Sequence, residues 1–367
     1  METSRQRVLK AIRHEQPDTT PTNLEGFYDT DRWYKHFCTR SRIEIREKLD
    51  LDIQSARPVY VGPRKDESLS IWGTPLENIY GAGGVGYGVG RDYPLAHAAT
   101  VHEIDAYPWP DAADFDYDVT AEVLLSLPGD RARRLDGKYG IETEGASHAE
   151  LTQNGPWVPL VCTLFDLFGL ENTLMNMHLE PRLIEAALRH VEDFILEFYS
   201  RMLGTAGHAC DLVYFGDDFS TQKGLMISPE QWRRFLLPTY RRLFALIKGH
   251  DKIVWFHSCG SFHDVMGDLI DAGLDVWETV QVQAVGNDPR ELKRKYGRNI
   301  TFYGGISTQK TLPCGTPQDV RKEVRERIAV LGHGGGYIVG SDHGVMPDVP
   351  LENVLAMYDE AKSFSAR

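Results

Sequence analysis

A histidine and a cysteine stand two residues apart where an apolar run ends. The run reads Lys252-Ile-Val-Trp-Phe-His257-Ser-Cys259-Gly260 and is typical of a buried β-strand that opens into a loop. Because side chains two residues apart on a strand point to the same side, His257 and Cys259 are predicted to lie together. The pair fits half of a zinc site, a cysteine–histidine nucleophile pair, or the packed end of a core strand.

Other polar or small residues also follow apolar runs, at the points where strands would end. They are Glu25-Gly26, Asp217-Asp218, Glu278 to Gln281, Gly304-Gly305 and Asp342-His343. In a (β/α)8 barrel the carboxyl ends of all strands meet at one mouth, which carries the active site. In such a barrel these residues would converge on one site, although they come from distant parts of the sequence.

A metal set is predicted from His257, Cys259 and His343, with Glu25 as a candidate fourth ligand. Zinc accepts this mixture of imidazole nitrogen and thiolate sulfur, and three protein ligands leave one position open for substrate. A zinc ion held there would lower the pKa of the thiol and of an incoming substrate thiol.

A further set of residues is predicted to act on substrate. The catalytic residues are Asp217, Gln281 and His343, and the substrate contacts are Asp218, Glu278, Gly304 and Gly305. The two aspartates offer a general base, an anchor for a cationic group or a partner for a histidine ligand, with a helix-capping or turn role as the alternative. Glu278 and Gln281 either hydrogen-bond substrate or finish their strand. The paired glycines allow close backbone approach to a ligand or tight packing.

Strands and helices alternate through the second half of the chain, which predicts a parallel sheet. Strands are predicted at 211–216, 252–257, 275–282, 300–303 and 336–339, and helices at 183–202, 228–248, 262–272, 289–296, 317–331 and 351–361. The first half adds candidate strands at 21–27, 51–56 and 138–145. A total of about eight favours a closed (β/α)8 TIM barrel over an open doubly wound sheet. No Gly-x-Gly-x-x-Gly unit between a strand and a helix suggests a Rossmann domain.

The whole chain, residues 1–367, is predicted to form one barrel domain with an insertion at about 71–110 near the mouth. Within it, the segment from Gly81 to Gly90 alternates glycine with apolar residues and predicts a hairpin or flexible flap. A phosphate-binding loop is disfavoured because no Lys-Ser/Thr pair follows the glycines.

Composition narrows the class of protein. The chain is 42% hydrophobic and 25% charged, which fits a soluble globular protein, and no window approaches the ~18 apolar residues of a membrane span. The charged start from Met1 to Leu9 predicts a helix and not a signal peptide. A net charge of -13 without a long basic run argues against nucleic-acid binding. Five scattered cysteines fit reduced thiols in the cytoplasm.

Several segments together resemble the uroporphyrinogen decarboxylase superfamily, which includes the methylcobamide:coenzyme M methyltransferases. They are Gly216-Asp-Asp-Phe-Ser-Thr-Gln222, Ile227-Ser-Pro-Glu230, His257-Ser-Cys-Gly260, Gly304-Gly-Ile-Ser-Thr-Gln309 and His343-Gly-Val-Met-Pro-Asp348. The likeness spans nearly the whole chain and is strongest from Tyr214 onward. It implies a (β/α)8 barrel, and a homodimer is expected from the family.

The resemblance to the methyltransferase branch implies zinc-dependent methyl transfer. His257 and Cys259 match the His-x-Cys ligands of that branch, and His343 stands where the branch has a later cysteine. In that branch zinc turns an acceptor thiol into a thiolate, which attacks a methyl group on a corrinoid. Because no corrinoid-binding Asp-x-His-x-x-Gly segment is present, the corrinoid is expected on a partner protein.

Two alternatives stay open beside methyl transfer. One is metal-free decarboxylation of a porphyrinogen or another polycarboxylate, with His343 and Asp217 in the pocket. Residues 21–29 lack the Arg-Gln-Ala-Gly-Arg segment of the true decarboxylase, and no basic pocket is recognisable in this acidic chain. The other alternative is a barrel that binds a tetrapyrrole or corrinoid without turning it over.

Overall fold

The computed structural model describes residues 1–63, 69–75, 93–138, 140–141 and 157–364. The predicted flap from Gly81 to Gly90 lies outside the described residues, as do residues 142–145 of one predicted strand. The sheet and the residues of the candidate site lie within the described ranges.

Seven parallel strands of the described residues form the central sheet, labelled β1 to β7 in chain order. They are β1 Ile53–Ala56, β2 Ala132–Asp136, β3 Leu212–Gly216, β4 Ile253–His257, β5 Val276–Val280, β6 Thr301–Ile306 and β7 Tyr337–Ser341. Each strand pairs with the next, and Gly216, His257 and Glu278 lie in register across β3, β4 and β5. The predicted site residues that follow these strands therefore start side by side.

The segment around Thr22 closes the sheet between β7 and β1. Val339 N–H donates to the Pro21 carbonyl at 2.8 Å, and Asp52 N–H donates to the Thr22 carbonyl at 3.1 Å. The strand predicted at 21–27 is thus present as two isolated parallel bridges, from Thr22 to Val339 and from Phe27 to Val345. With this segment in the eighth strand position, the sheet is the predicted (β/α)8 TIM barrel.

The strand predicted at 138–145 is not a strand of the barrel, because the barrel strand in that region is β2, Ala132–Asp136. β2 reads Ala-Arg-Arg-Leu-Asp and so lacks the apolar run that marks the other strands. Its Arg134 and Asp136 are tolerated inside the barrel because they pair with each other at 2.7 Å. Gly140–Ile141 belongs instead to a small three-stranded sheet with Val59–Tyr60 and Phe115–Asp116.

Helices surround the sheet within the described residues. They are Ser4–Ile12, Thr30–Phe37, Arg42–Lys48, Val101–Asp105, Asp118–Ser126, Val161–Phe168, Leu170–Leu179, Pro181–Ala206, Pro229–Phe235, Leu237–Gly249, His263–Ala272, Pro289–Tyr296, Thr311–Cys314, Pro317–Leu331 and Leu351–Ser363, with 3-10 turns at Ala112–Asp114 and Gly207–Ala209. A two-stranded ribbon, Ser220–Thr221 with Gly224–Leu225, follows β3.

Proline positions explain where several helices begin. Ser228 accepts a hydrogen bond from the Gln231 N–H and Thr316 accepts one from the Asp319 N–H, each before a proline at the first helical position. The single helix predicted at 228–248 is wrong, since Pro238 cannot supply the N–H that a continuous helix requires. Two helices, Pro229–Phe235 and Leu237–Gly249, take its place.

The amino end of the barrel is filled by apolar side chains. Val8 of the first helix packs there against a buried cluster from the strands, namely Ile53, Ala132, Leu212, Tyr214, Trp255, Val276, Tyr303 and Ile338. This packing leaves the carboxyl ends of the strands as the place where polar side chains collect. In the described part of the chain, no helix combines the length and apolar character needed to span a membrane.

Candidate metal centre at the barrel mouth

Three predicted ligands meet at the carboxyl ends of the strands. His257 is the last residue of β4, Cys259 follows it by two residues, and His343 follows β7. One ligand atom from each of the three lies within 4.8 Å of the other two. The Cys259 Sγ is 3.5 Å from the His257 Nε2, and the two imidazole centroids are 6.1 Å apart. The barrel therefore assembles the predicted nitrogen, sulfur and nitrogen set.

The spacing of this set matches what zinc requires. A tetrahedral zinc ion with bonds of about 2.3 Å to sulfur and about 2.0 Å to nitrogen separates the two ligand atoms by about 3.5 Å. The observed separation between Cys259 Sγ and His257 Nε2 is 3.5 Å. The donor types and their spacing thus both fit zinc.

The electrostatics at the mouth also favour a cation. Burial lowers the pKa of an imidazole and is the largest single effect at both histidines, but the charges of Cys259 and Glu25 together with hydrogen bonds outweigh it. The pKa of His257 is raised well above its ordinary value, and the pKa of His343 is raised to about 10. Glu25 acts in the same direction on both rings. The thiol and the neighbouring carboxylate therefore attract positive charge into the space between the imidazoles.

Glu278 holds the other nitrogen of His257. Its Oε1 lies 3.3 Å from His257 Nδ1, while its Oε2 accepts hydrogen bonds from Arg134 at 3.2 Å and from the Trp255 indole. Burial raises the pKa of Glu278, but His257 and Arg134 outweigh it and leave this pKa lowered. An ionised Glu278 accepts a hydrogen bond from Nδ1–H, so Nε2 is the ring nitrogen of His257 that faces Cys259.

Glu25 lies on the Nδ1 side of the same ring. Its side chain is 8% exposed, and its Oε1 is 3.7 Å from His257 Nδ1. Its Oε2 is buried and has no hydrogen-bond partner among the described residues. Glu25, His257 and Glu278 form a second group whose ligand atoms lie within 4.8 Å of one another. Cys259 and the two carboxylates thus contact opposite nitrogens of one imidazole.

Asp218 and Gln281 fix the loop that carries Cys259. Asp218 Oδ1 accepts the Cys259 N–H at 2.8 Å and lies 3.9 Å from His257 Nε2. Gln281 Oε1 accepts the Gly260 N–H at 2.9 Å and the Gln222 amide at 2.7 Å. Both predicted residues are therefore brought to the site, where they hold the backbone on either side of the thiol.

The loop after β4 also depends on a glycine. Gly260 has a φ of +87°, and a Cβ at this position would lie 2.4 Å from the Thr221 carbonyl oxygen. The Ser220 hydroxyl donates to the Cys259 carbonyl in the same turn. The ribbon after β3 and the loop after β4 are consequently packed so closely that position 260 has room for glycine only.

The carboxylate of Asp217 makes its hydrogen bonds to other parts of the protein. Asp217 is fully buried, and its carboxylate accepts hydrogen bonds from Val161 N–H at 2.8 Å, Cys162 N–H at 3.1 Å and Tyr240 OH at 2.7 Å. Burial raises the pKa of Asp217 to about 6, because it outweighs the three hydrogen bonds, which lower this pKa. The carboxylate thereby caps the helix Val161–Phe168 beside the site, and its catalytic role stays a prediction.

The paired glycines lie inside β6 in left-handed conformations. Gly304 has a φ of +109°, and a Cβ there would lie 3.2 Å from the Ser341 carbonyl oxygen. Its own carbonyl accepts the Tyr337 hydroxyl at 2.7 Å, and the Gly305 carbonyl accepts Arg327 Nε at 3.0 Å. Tight packing between strands therefore explains Gly304, and substrate contact by this pair stays a prediction.

A group of charged residues beside the centre was missed by sequence reasoning. Asp136 accepts hydrogen bonds from Arg134 Nε at 2.7 Å and from Arg57 Nη2 at 3.0 Å. Arg134 also reaches Glu278, so these charges connect to His257. The available signal was the spacing of Arg134 and Asp136, two residues apart as on one face of a strand.

Comparisons with known proteins show the family of this chain and agree with its fold. The family model described as uroporphyrinogen decarboxylase (URO-D) matches residues 156–364. A methylated-thiol–coenzyme M methyltransferase of Methanosarcina mazei is 27% identical over 211 residues, covering 55% of this chain and 51% of that protein. A uroporphyrinogen decarboxylase of Actinobacillus succinogenes is 31% identical over 198 residues, covering 52% of this chain and 51% of that protein. The chain spans about half the length of the curated relatives it matches.

A solved structure supports the fold over the full chain. A methyltransferase from Methanosarcina mazei superposes with a TM-score of 0.65 at 18% sequence identity and covers 99% of both chains. At this identity the similarity is one of fold, and it agrees with the closed barrel described above.

Proposed function

The chain belongs to the uroporphyrinogen decarboxylase (URO-D) family, and on this premise we propose that it is a zinc-dependent methyltransferase. It would move a methyl group between a corrinoid on a partner protein and a thiol or similar acceptor. The observation that carries the proposal is the Cys259 thiol, 3.5 Å from the His257 imidazole and within 4.8 Å of a His343 ring nitrogen. Metal-free decarboxylation gives this thiol no role, whereas a thiolate beside two imidazoles is a donor set that zinc accepts.

The relatives support both branches of the family. One is named for methyl transfer to coenzyme M, and several others are named uroporphyrinogen decarboxylases. The metal group therefore favours methyl transfer in this chain, and decarboxylation of a polycarboxylate is the alternative.

Each residue of the centre has a proposed role. His257, Cys259 and His343 would hold zinc and leave the fourth position to substrate. Glu25, the predicted fourth ligand, belongs to the separate group on the Nδ1 side of His257. Zinc bound there supplies the Lewis acidity that makes a thiol a thiolate near neutral pH. Glu278 would keep His257 turned with Nε2 toward the metal, since it holds Nδ1 at 3.3 Å.

The remaining predicted residues would position the centre. Asp218 and Gln281 hold the loop around Cys259, and Asp217 anchors the helix Val161–Phe168 against the mouth. In the transfer itself, a sulfur–carbon bond to the methyl group forms and the cobalt–carbon bond breaks. The electron pair stays on cobalt and the thiol proton is released, so the exchange balances without a further reactant.

A methyl-transfer assay tests the proposal. Zinc-loaded protein is mixed with methylcob(III)alamin and a small thiol, and the formation of cob(I)alamin is followed by absorbance without oxygen. We expect turnover in the wild type and a loss of roughly 100-fold or more in His257→Ala, Cys259→Ala and His343→Ala, because each removes a ligand. The exposed His333 supplies the control variant His333→Ala, which should keep full activity.

Two results would overturn the proposal. One is absence of methyl transfer by a wild type that holds a full complement of zinc, with free or protein-bound methylcorrinoid. The other is release of CO2 from a porphyrinogen by metal-free protein, which would put decarboxylation first.

A further inference from the structure

A cavity of about 670 Å³ lies at the amino end of the barrel. It is bounded by the helix Ser4–Ile12 and by residues at or just before the starts of β2, β3, β4 and β5. Its whole lining belongs to the described residues. The volume is that of a small-molecule site. The metal centre lies at the opposite ends of the same strands and takes no part in this cavity.

Two of the five arginine and lysine side chains that line the cavity are paired with carboxylates. Arg5 pairs with Asp211 at 2.7 Å, and Arg131 pairs with Asp50 at 2.6 Å. Arg131 also donates from Nη1 to the Ser4 hydroxyl at 2.9 Å. These two guanidinium groups are therefore largely engaged by the protein.

The other three cations of the lining have no carboxylate partner. They are Arg13, Arg133 and Lys252. No Asp or Glu oxygen of the described residues lies within 4.0 Å of their charged nitrogens. Among the acids of the lining, Asp275 is paired with Lys248, whereas Asp251 forms no ion pair with any described residue. Three free cations and one free carboxylate leave the cavity with an unpaired charge of +2, in a chain whose net charge is -13.

Backbone pairing brings these groups together at the starts of three neighbouring strands. The Asp211 N–H donates to the Arg133 carbonyl at 2.8 Å, and the Ile253 N–H donates to the Asp211 carbonyl at 3.2 Å. Lys252 Nζ donates to the Cys210 carbonyl at 3.0 Å, so its ammonium lies beside the start of β3. The fold itself therefore places Arg133 and Lys252 on either side of β3.

Arg133 and Lys252 are half-buried and keep donors that the protein does not use. Arg133 Nη2 donates to the Leu127 carbonyl at 2.8 Å, and its Nη1 has no acceptor in the described part of the chain. The ammonium of Lys252 has three donors, of which one is taken by the Cys210 carbonyl. A cleft lined by charge of one sign concentrates counter-ions, so the cavity favours an anion.

We propose that this cavity is a binding site for a phosphoryl group, carried by free phosphate or by a small phosphate monoester. A phosphoryl dianion matches the unpaired charge of +2, whereas a carboxylate would neutralise half of it. Arg13, Arg133 and Lys252 would donate charge-assisted hydrogen bonds to its oxygens. Ile12 and Ile253, both half-buried in the lining, would contact the organic part of an ester.

Calorimetric titration at pH 8 and constant ionic strength tests this site. The probes are inorganic phosphate and glycerol 3-phosphate, with sodium chloride as the blank. We expect saturable binding of both probes and tighter binding of the ester, because its organic part fills more of the cavity. Arg133→Met should weaken the binding of both probes by about tenfold, since it removes a charge-assisted hydrogen bond.

Two further variants separate loss of the site from loss of the fold. Arg13→Met changes an exposed residue without a side-chain hydrogen bond among the described residues, so it should fold normally and weaken both affinities severalfold. Arg298→Met is the matched control, because Arg298 is exposed at the same end of the barrel and lies outside the lining. It should leave both affinities unchanged.

The outcomes identify the ligand or overturn the site. Tighter binding of glycerol 3-phosphate supports a monoester site, and equal affinity for the two probes supports the site with free phosphate as its ligand. Wild-type protein that shows no saturable binding of either probe overturns the site. Binding that neither Arg13→Met nor Arg133→Met weakens overturns it as well.

Discussion

His257 connects the metal group to the protein interior because its two nitrogens have different neighbours. Nε2 faces Cys259 at 3.5 Å, and Nδ1 faces Glu278 at 3.3 Å. Glu278 is itself held by Arg134 and Trp255, so the orientation of the imidazole is set by buried groups. Partners of this kind fix both the proton position and the ring orientation of a metal-bound histidine.

Replacement of Glu278 is therefore expected to weaken zinc binding without removing a ligand. Glu278→Gln should lower zinc affinity by about 10- to 100-fold, measured by competition with a chelator. The matched control is Glu323→Gln, because Glu323 is also buried and paired, at 2.8 Å with Arg327. Zinc affinity that is unchanged in Glu278→Gln, or equally reduced in the control, would contradict the role assigned to Glu278.

At the scale of elements, the turn from β4 to the helix His263–Ala272 sets the position of the thiol. Gly260→Ala should reduce both thermal stability and zinc affinity, because the new Cβ would lie 2.4 Å from the Thr221 carbonyl. The cost of placing alanine at this positive φ is on the order of 1–3 kcal/mol. Thermal melts and chelator competition measure the two effects.

A second glycine supplies the control for that substitution. Gly267 lies on the exposed side of the helix His263–Ala272, and a Cβ there meets no atom within 4 Å. Gly267→Ala should raise stability by roughly 0.5–1 kcal/mol through helix propensity and leave zinc affinity unchanged. Equal behaviour of the two alanine variants would show that the turn does not position Cys259.

Lys293 ties the helix Pro289–Tyr296 to the loop before β7, where its Nζ donates to the Leu331 and Gly335 carbonyls at 2.7 Å each. Burial lowers its pKa to about 8 from its ordinary value of 10.5. Between these values the unfolded chain retains a proton that the folded protein has lost, so this group makes stability rise with pH. The stability of the wild type relative to Lys293→Met should therefore increase from about pH 7.5 to about pH 9.5 in denaturant titrations. A difference independent of pH would contradict this placement of Lys293.

At the scale of the whole molecule, apolar runs followed by polar residues predicted most of the barrel. Such runs mark all of the strands β3 to β7. The predicted ligands follow two of them, because His257 and Cys259 lie at the end of β4 and His343 lies just after β7. β2 was misplaced because Arg134 and Asp136 interrupt its apolar run, and their further partners Glu278 and Arg57 lie on distant parts of the chain. Charge pairing across strands leaves little trace in a local pattern, since it depends on contacts between distant residues.

The same reason explains why the buried charges beside the centre were not foreseen. Arg57 and Asp136 are far apart in the sequence and form an ion pair only after β1 and β2 pair. The closure at Thr22 then brings Glu25 beside His257, at 3.7 Å from Nδ1. Residue types and strand ends thus predicted which residues form the candidate ligand group, whereas the surrounding charges required the fold.

X-ray absorption at the zinc edge of the purified, zinc-reconstituted protein tests the central claim most directly. The account predicts about one zinc per chain, with one sulfur at about 2.3 Å and two or three nitrogen or oxygen ligands at about 2.0–2.1 Å. Cys259→Ser should lose the sulfur shell, since Cys259 supplies the thiolate of the described ligand group. A protein that binds no zinc after reconstitution, or binds it without sulfur, would contradict the account.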